Sequence, residues 1–312
     1  MYFNRINSYR MAKEKEQAES EIAKKKAQQS LQNSVYINPL TDFGFKHLFT
    51  NKELLIPFLN EIMGMDIKDI EYKPNEGLGW IKEERTTIFD LQCTTRNDEH
   101  FIVEMQLGDQ KYFRDRILVY GSHMIRKQAP RKKNWNYNIK PVYIVSILNF
   151  KIFKDQASEN QVIERVYLYR ESTKKLFTNK LQFVFIQLPK FQKAISELAN
   201  DTDRWLYVLK NLNGLESSPP ELKDKKPFDL LLEIAEIKQL TEEEMERYQV
   251  SLAKSYQLRS AINYAREEAR EDEKMAIAIK LLMLKHPIDE IISLTELSRE
   301  AVMSLIKKLP QA

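Results

Sequence analysis

Asp90, Glu104 and Gln106 carry most of the chemistry this chain offers, and one short stretch holds all three. In "FDLQCTTRNDEHFIVEMQ", residues 89–106, Phe89, Leu91 and Cys93 alternate with Asp90 and Gln92. Phe101, Val103 and Met105 then alternate with Glu104 and Gln106. Strand side chains point to opposite faces with period two, so the segment reads as a hairpin with one apolar and one polar face. Directly opposed residues of an antiparallel pair share a face. That restricts the register to turns centred on residue 97 or 98 and sets Asp90 opposite Glu104 or Gln106. Opposed Cβ atoms then stand about 4.5–5.5 Å apart.

Two carboxylates that close repel unless one takes up a proton or a cation sits between them. Oxygen ligands suit Mg2+ or Mn2+, hard ions that keep waters and accept phosphate oxygens. The main-chain carbonyl of Met105 is available as a further ligand. A cation held there would stabilise charge on a phosphoryl oxygen and acidify a water. Gln106, beside Glu104 on the same face, is placed to orient that water but brings no positive charge. A sheet face open to solvent shows the same alternation. Against that reading, the segments on either side of the hairpin form apolar helical stripes that would cover such a sheet, and covered carboxylates need a partner.

The elements that must position this hairpin are legible as periodicities. Thr41 or Asp42 can cap a helix with Phe45, Leu48 and Phe49 on one side. A second helix carries Leu54, Leu55, Phe58, Leu59 and Ile62 and stops at Gly64. "DIKDIEYKPNE" reads as a strand, "KYFRDRILVYGSHMIRKQ" as a helix, and "KPVYIVSILNF" as a strand buried on both faces. The order over residues 41–149 is α-β-β-β-α-β, and the helix before the last strand suits a parallel crossover. A mixed sheet flanked by helices follows. Two more strands come next, "IERVYLYRES" and "QFVFIQLP", and from residue 190 the pattern is helical, with a break at residues 214–224.

This order, with Asp on the second strand and E-x-Q on the third, resembles the PD-(D/E)xK nuclease superfamily. More closely, "NPLTDFGFKHLF", "FDLQC", "FIVEMQ" and "YFRDRILVYGSHMIRKQ" look like the recombination-promoting nuclease/putative transposase family. The resemblance implies a restriction-endonuclease-like α/β core and Mg2+- or Mn2+-dependent cleavage of DNA phosphodiesters, linked to recombination or mobile elements. Asp90 and Glu104 match the metal ligands. Gln106 stands where the wider superfamily has a lysine whose charge helps stabilise the transition state. Phe89 stands where it has proline. Lys46, Lys111 or Arg114 from a neighbouring helix are the candidates to replace the absent charge. Asp42 and Lys46 also match the family's opening motif.

The remaining features bound the partners. The chain has 312 residues, a formal charge of +4 and a single cysteine, so net charge names no partner and no intrachain disulfide can form. Seven glycines, with no phosphate-cradling glycine motif among them, argue against a nucleotide loop. No run approaches the length needed to span a bilayer, so the expectation is a soluble, cytoplasmic protein without a membrane partner. "IRKQAPRKKNWNYNIK", residues 125–140, has six basic residues, no acid, and Trp135 and Tyr137. This loop, through Arg126, Lys127, Arg131, Lys132 and Lys133, is the candidate DNA contact, placed near the site by its link to the post-hairpin helix.

The expected organisation is a charged extension over residues 1–33, a nuclease-like core over 34–190, a helical extension over 191–270 and a helix-turn-helix-like segment over 271–312. That last segment is read as three short helices, the final one presenting Arg299, Ser304, Lys307 and Lys308. Docking or self-association as a homo-oligomer is the other reading of this end. The rival for the whole chain is a catalytically degenerate nuclease fold that binds DNA or protein without cutting.

Overall fold

A computed structural model of the chain describes residues 2–73, 76–77, 87–88, 90–129 and 136–308. Two compact units appear, Met1–Tyr256 and Gln257–Ala312. The first unit opens with α1 (Tyr2–Asn33), in which Ala23 and Ala27 are the buried positions among the side chains described, residues 17–33. Next come α2 (Asp42–Phe49) and α3 (Lys52–Met63). Thr41 caps α2, its side chain accepting from the Gly44 N–H, and Gly64 closes α3 at φ 66°, a left-handed value that glycine adopts without strain.

The strands are β1 (Ile70–Lys73), the short pair β2 (Glu76–Gly77) and β3 (Thr87–Ile88), β4 (Leu91–Thr95) and β5 (His100–Gln106). Helix α4 (Phe113–Lys127) leads to β6 (Val142–Leu148), β7 (Ile163–Tyr169) and β8 (Leu176–Gln187). One six-stranded sheet has the order β1-β4-β5-β6-β8-β7. Its centre, β5, β6 and β8, is parallel, and both flanks are antiparallel. This is the mixed, helix-flanked α/β fold expected of a restriction-endonuclease-like core.

Both faces of the centre of the sheet are covered, while β7 and the start of β8 are largely exposed. Phe101 and Val103 of β5 join Val145, Ile147, Val184 and Ile186 in a core shared with α2, α3, α5 (Asp201–Asn211) and α6 (Phe228–Ala235). On the opposite face Ile102, Ile144 and Phe183 pack under Phe113, Ile117 and Met124 of α4. Gly121 is what lets α4 lie so close: a Cβ there would meet Leu181 Cδ1 at 2.9 Å and Ile144 Cδ1 at 3.3 Å.

Helix α7 (Glu242–Met283) runs 42 residues without a break, so the first of the three short C-terminal helices expected is the tail of a long one. The second unit closes that tail, α8 (Ile288–Thr295) and α9 (Arg299–Lys308) on a small core of Ala278, Ile291, Leu297, Val302 and Leu305. Glu296 takes the left-handed turn after α8, and Ser298 Oγ accepts from the Ala301 N–H at 3.1 Å. Among the described residues no helix is long and apolar enough to cross a membrane.

Candidate active site

The register of β4 on β5 pairs Leu91 with Val103 and Cys93 with Phe101, a turn centred on residue 97. One step beyond the ladder, Asp90 therefore lies opposite Glu104. The two residues are joined twice. The Asp90 N–H donates to Glu104 Oε1 at 3.1 Å, and the Met105 N–H donates to Asp90 Oδ2 at 2.8 Å. Both carboxyl groups are thus oriented by main-chain donors. Phe89 lies outside the described residues.

The polar face is not wet. Helix α4 lies over it, leaving Glu104 4% exposed and Gln92 2% exposed. Burial raises the pKa of Glu104 to about 8, with the Asp90 charge adding to the effect. Burial also raises the pKa of Asp90, while the Met105 N–H and the charges of Lys46 and Arg116 oppose the rise. The two groups titrate as a pair, and without a cation the pair holds a proton near neutral pH. Tyr120 of α4 sits within reach of the same charges; its phenol is pushed up to about 12 by burial first and Glu104 second.

Buried polar atoms without partners adjoin the pair. Ser146 lies beside Glu104 in the parallel β5–β6 register and is fully buried, and its Oγ has no hydrogen-bond partner. Gln92 Oε1 on β4 is in the same condition. Two adjacent carboxylates beside the unpartnered Ser146 and Gln92 oxygens are a donor set that suits a hard divalent cation. The residues present fit such an ion. Among the described residues no three His, Cys, Asp or Glu side chains gather as a metal-binding group.

The sequence-predicted residues are distributed unevenly around this pair. Lys46 of α2 is close enough for its charge to act on both carboxylates, but it is ion-paired to Asp42 at 2.6 Å. Gln106 is on the expected face. The expectation that it orients the attacking water meets an amide engaged at both ends: Oε1 accepts from Arg116 Nη2 at 2.5 Å, and Nε2 donates to the Gly108 carbonyl at 3.1 Å. Arg114 and Lys111 are turned to other partners. Arg114 donates to the Ile152 carbonyl and lies over the Phe153 ring, and Lys111 lies over Tyr112. The sequence reading missed Arg116, whose charge acts on Asp90, Glu104 and Tyr120 together.

Arg126 and Lys127 are exposed at the far end of α4. Eleven residues separate Lys127 from Arg116, about 16 Å along a helix. Lys140 Nζ donates to the Asn97 carbonyl, which puts the described end of the basic loop at the hairpin turn and away from its open end, where the carboxylates sit. Of the basic stretch, Arg126 and Lys127 thus stand about 16 Å along α4 from Arg116 rather than at the carboxylates. Arg131, Lys132 and Lys133, with Trp135, fall outside the described residues. A cleft of about 900 Å3, lined by Asp42, Lys46, His47, Arg247 and Lys254 among others, opens beside the site along α2 and α7.

A model of the PD-(D/E)XK nuclease family transposases matches residues 39–265, which takes in every strand of the sheet and both carboxylates. The chain belongs to this family. No curated protein and no solved structure matches it.

Proposed function

We propose that this protein is a divalent-metal-dependent DNA endonuclease that hydrolyses phosphodiester bonds, and that the Asp90–Glu104 pair is its metal-holding centre. The observation that carries the reading is the pair itself: a buried Glu104 and a half-buried Asp90, clamped by main-chain hydrogen bonds at the end of a hairpin, with no ion pair to Glu104 among the described residues. Burying two carboxylates together is unfavourable without a cation, and the site retains oxygen atoms to bind one.

Asp90 and Glu104 would hold Mg2+ or Mn2+ with the Met105 carbonyl. The Met105 N–H already points at Asp90, and in an extended strand the carbonyl of the same residue points to the same edge. When bound, the cation supplies Lewis-acid stabilisation of the phosphate and a more acidic water. The chain's own residues orient the carboxylates, exclude bulk water beneath α4, and favour the ionised pair through the Lys46 charge. Arg126 and Lys127, at the far end of α4, and Arg131, Lys132 and Lys133 would contact phosphates, which positions a duplex without reading its sequence. Membership of a family of nuclease-type transposases supports a role for such cleavage in moving DNA between sites.

Purified protein should nick supercoiled plasmid in Mg2+ and not in EDTA. DNA binding without metal-dependent nicking, across several divalent ions, would instead support the catalytically degenerate, binding-only reading.

A further inference from the structure

We propose that Arg116, seated by the Gln106 amide, is the positive group that contacts the scissile phosphate, in place of the lysine missing from the third strand. This inference rests on the nuclease reading above. Two side-chain amides hold the guanidinium. Arg116 Nη2 donates to Gln106 Oε1 at 2.5 Å and Nη1 donates to Gln110 Oε1 at 2.6 Å. The orientation of the Gln106 amide is fixed by its neighbours, because arginine can only donate and the Gly108 carbonyl can only accept.

Both anchors are neutral. Among the described residues Arg116 has no ion pair, so its full charge remains for a third party. Lys46, by contrast, is partly neutralised by Asp42. Of the five N–H donors of a guanidinium, two are committed to glutamines. One of the other three, Nε–H, is buried and has no partner. The group lies against the Phe113 and Tyr120 rings, at 5.1 and 5.9 Å, which limits its freedom. Its charge reaches both Asp90 and Glu104, so an anion held by a cation between those carboxylates lies within its field as well.

Gln106 then has a definite task. A lysine at that position would carry the charge itself; glutamine hands the position to an arginine arriving from α4. Arg116 is the substrate-contacting residue and Gln106 a positioning residue that acts through it. A planar guanidinium with free N–H groups matches phosphate geometry better than a lone ammonium.

The test uses the full chain and two readouts. Single-turnover nicking in Mg2+ should fall roughly 100- to 1000-fold in R116A, the loss expected for one preorganised charged donor. R116K should recover part of it, and added guanidinium should rescue R116A but not D90A. The Q106K/R116Q pair of changes, which moves the charge back to the strand, should cut faster than either single variant. The second readout is binding of a short duplex in Ca2+ at several salt concentrations, which requires no cleavage. R116A should lower the slope of log affinity against log salt by about one, as when a single phosphate is no longer neutralised. R116A with an unchanged salt slope, or with nicking within about threefold of wild type, overturns the proposal. If the wild type binds but never nicks, the nuclease reading fails and the salt slope alone decides whether Arg116 touches phosphate. Matching thermal melts for wild type and R116A show that the fold is intact.

Discussion

Asp90 and Glu104 orient each other: the Asp90 N–H holds one oxygen of Glu104 at 3.1 Å, while the next residue along, Met105, holds Asp90 at 2.8 Å. The arrangement couples acidity to metal occupancy, and its consequences can be measured without any substrate.

Stability in EDTA should fall as pH rises from 5.5 towards 8. The folded-state pKa of Glu104, about 8, lies above its unfolded value, so the folded protein binds more protons over this window. The stabilising contribution is complete below the unfolded pKa and is lost as pH rises through the folded one. The slope for one proton cannot exceed about 1.4 kcal/mol per pH unit. The raised pKa of Asp90 acts in the same direction. Urea midpoints should show the decline in wild type and a much flatter profile in E104Q. Millimolar Mg2+ should reverse it, with a gain in melting temperature that grows with pH as the cation displaces the shared proton.

Replacing Ser146 by alanine should leave metal-free stability unchanged or raise it by up to about 1 kcal/mol, because a buried hydroxyl without a partner is removed. Calorimetry of Mn2+ binding should show weaker affinity in the same variant if the hydroxyl supports Glu104 when the cation is bound. Equal affinity would assign Ser146 to packing alone.

The hairpin's faces, its register and the parallel crossover were legible because period two and turn parity leave few alternatives once Asp90, Leu91, Val103 and Glu104 are written in order. Arg116 was not legible. Its role depends on which side of α4 faces the sheet and on the direction of one amide, and Lys111 and Arg114 are as close in sequence. The placement of Arg126 and Lys127 was hidden for a related reason: the sequence does not say which end of α4 meets the carboxylates, and a helix of 15 residues spans about 22 Å. The unbroken length of α7 was hidden because residues 263–273 carry almost no apolar stripe to follow.

Charge removal at Arg126 and Lys127 should weaken DNA binding evenly across sequences, with the salt slope falling by about one for each phosphate that is no longer neutralised. Nicking at saturating protein should change little, since these residues stand about 16 Å from Arg116 along α4. A change in sequence preference would contradict the backbone-binding role.

Gly44 sits between Asp42 and Lys46 in α2, and a Cβ there would clash with the Asn38 carbonyl oxygen and fall 2.9 Å from Thr41 Oγ1. Main chain would have to move. Gly44→Ala should cost about 3 kcal/mol in urea unfolding, near the upper end for overpacking. Normal stability would mean that the 38–44 turn is softer than its hydrogen bonds indicate.

The most direct test of the central claim is plasmid nicking by wild type and by Asp90→Asn at matched folded concentration, each in Mg2+ and in EDTA. Asn keeps the size of the side chain and an oxygen for the Met105 N–H but removes the charge. The account predicts Mg2+-dependent nicking by wild type and a loss of at least roughly 1000-fold in Asp90→Asn. Metal-dependent nicking that persists in Asp90→Asn would place the active centre somewhere other than this hairpin.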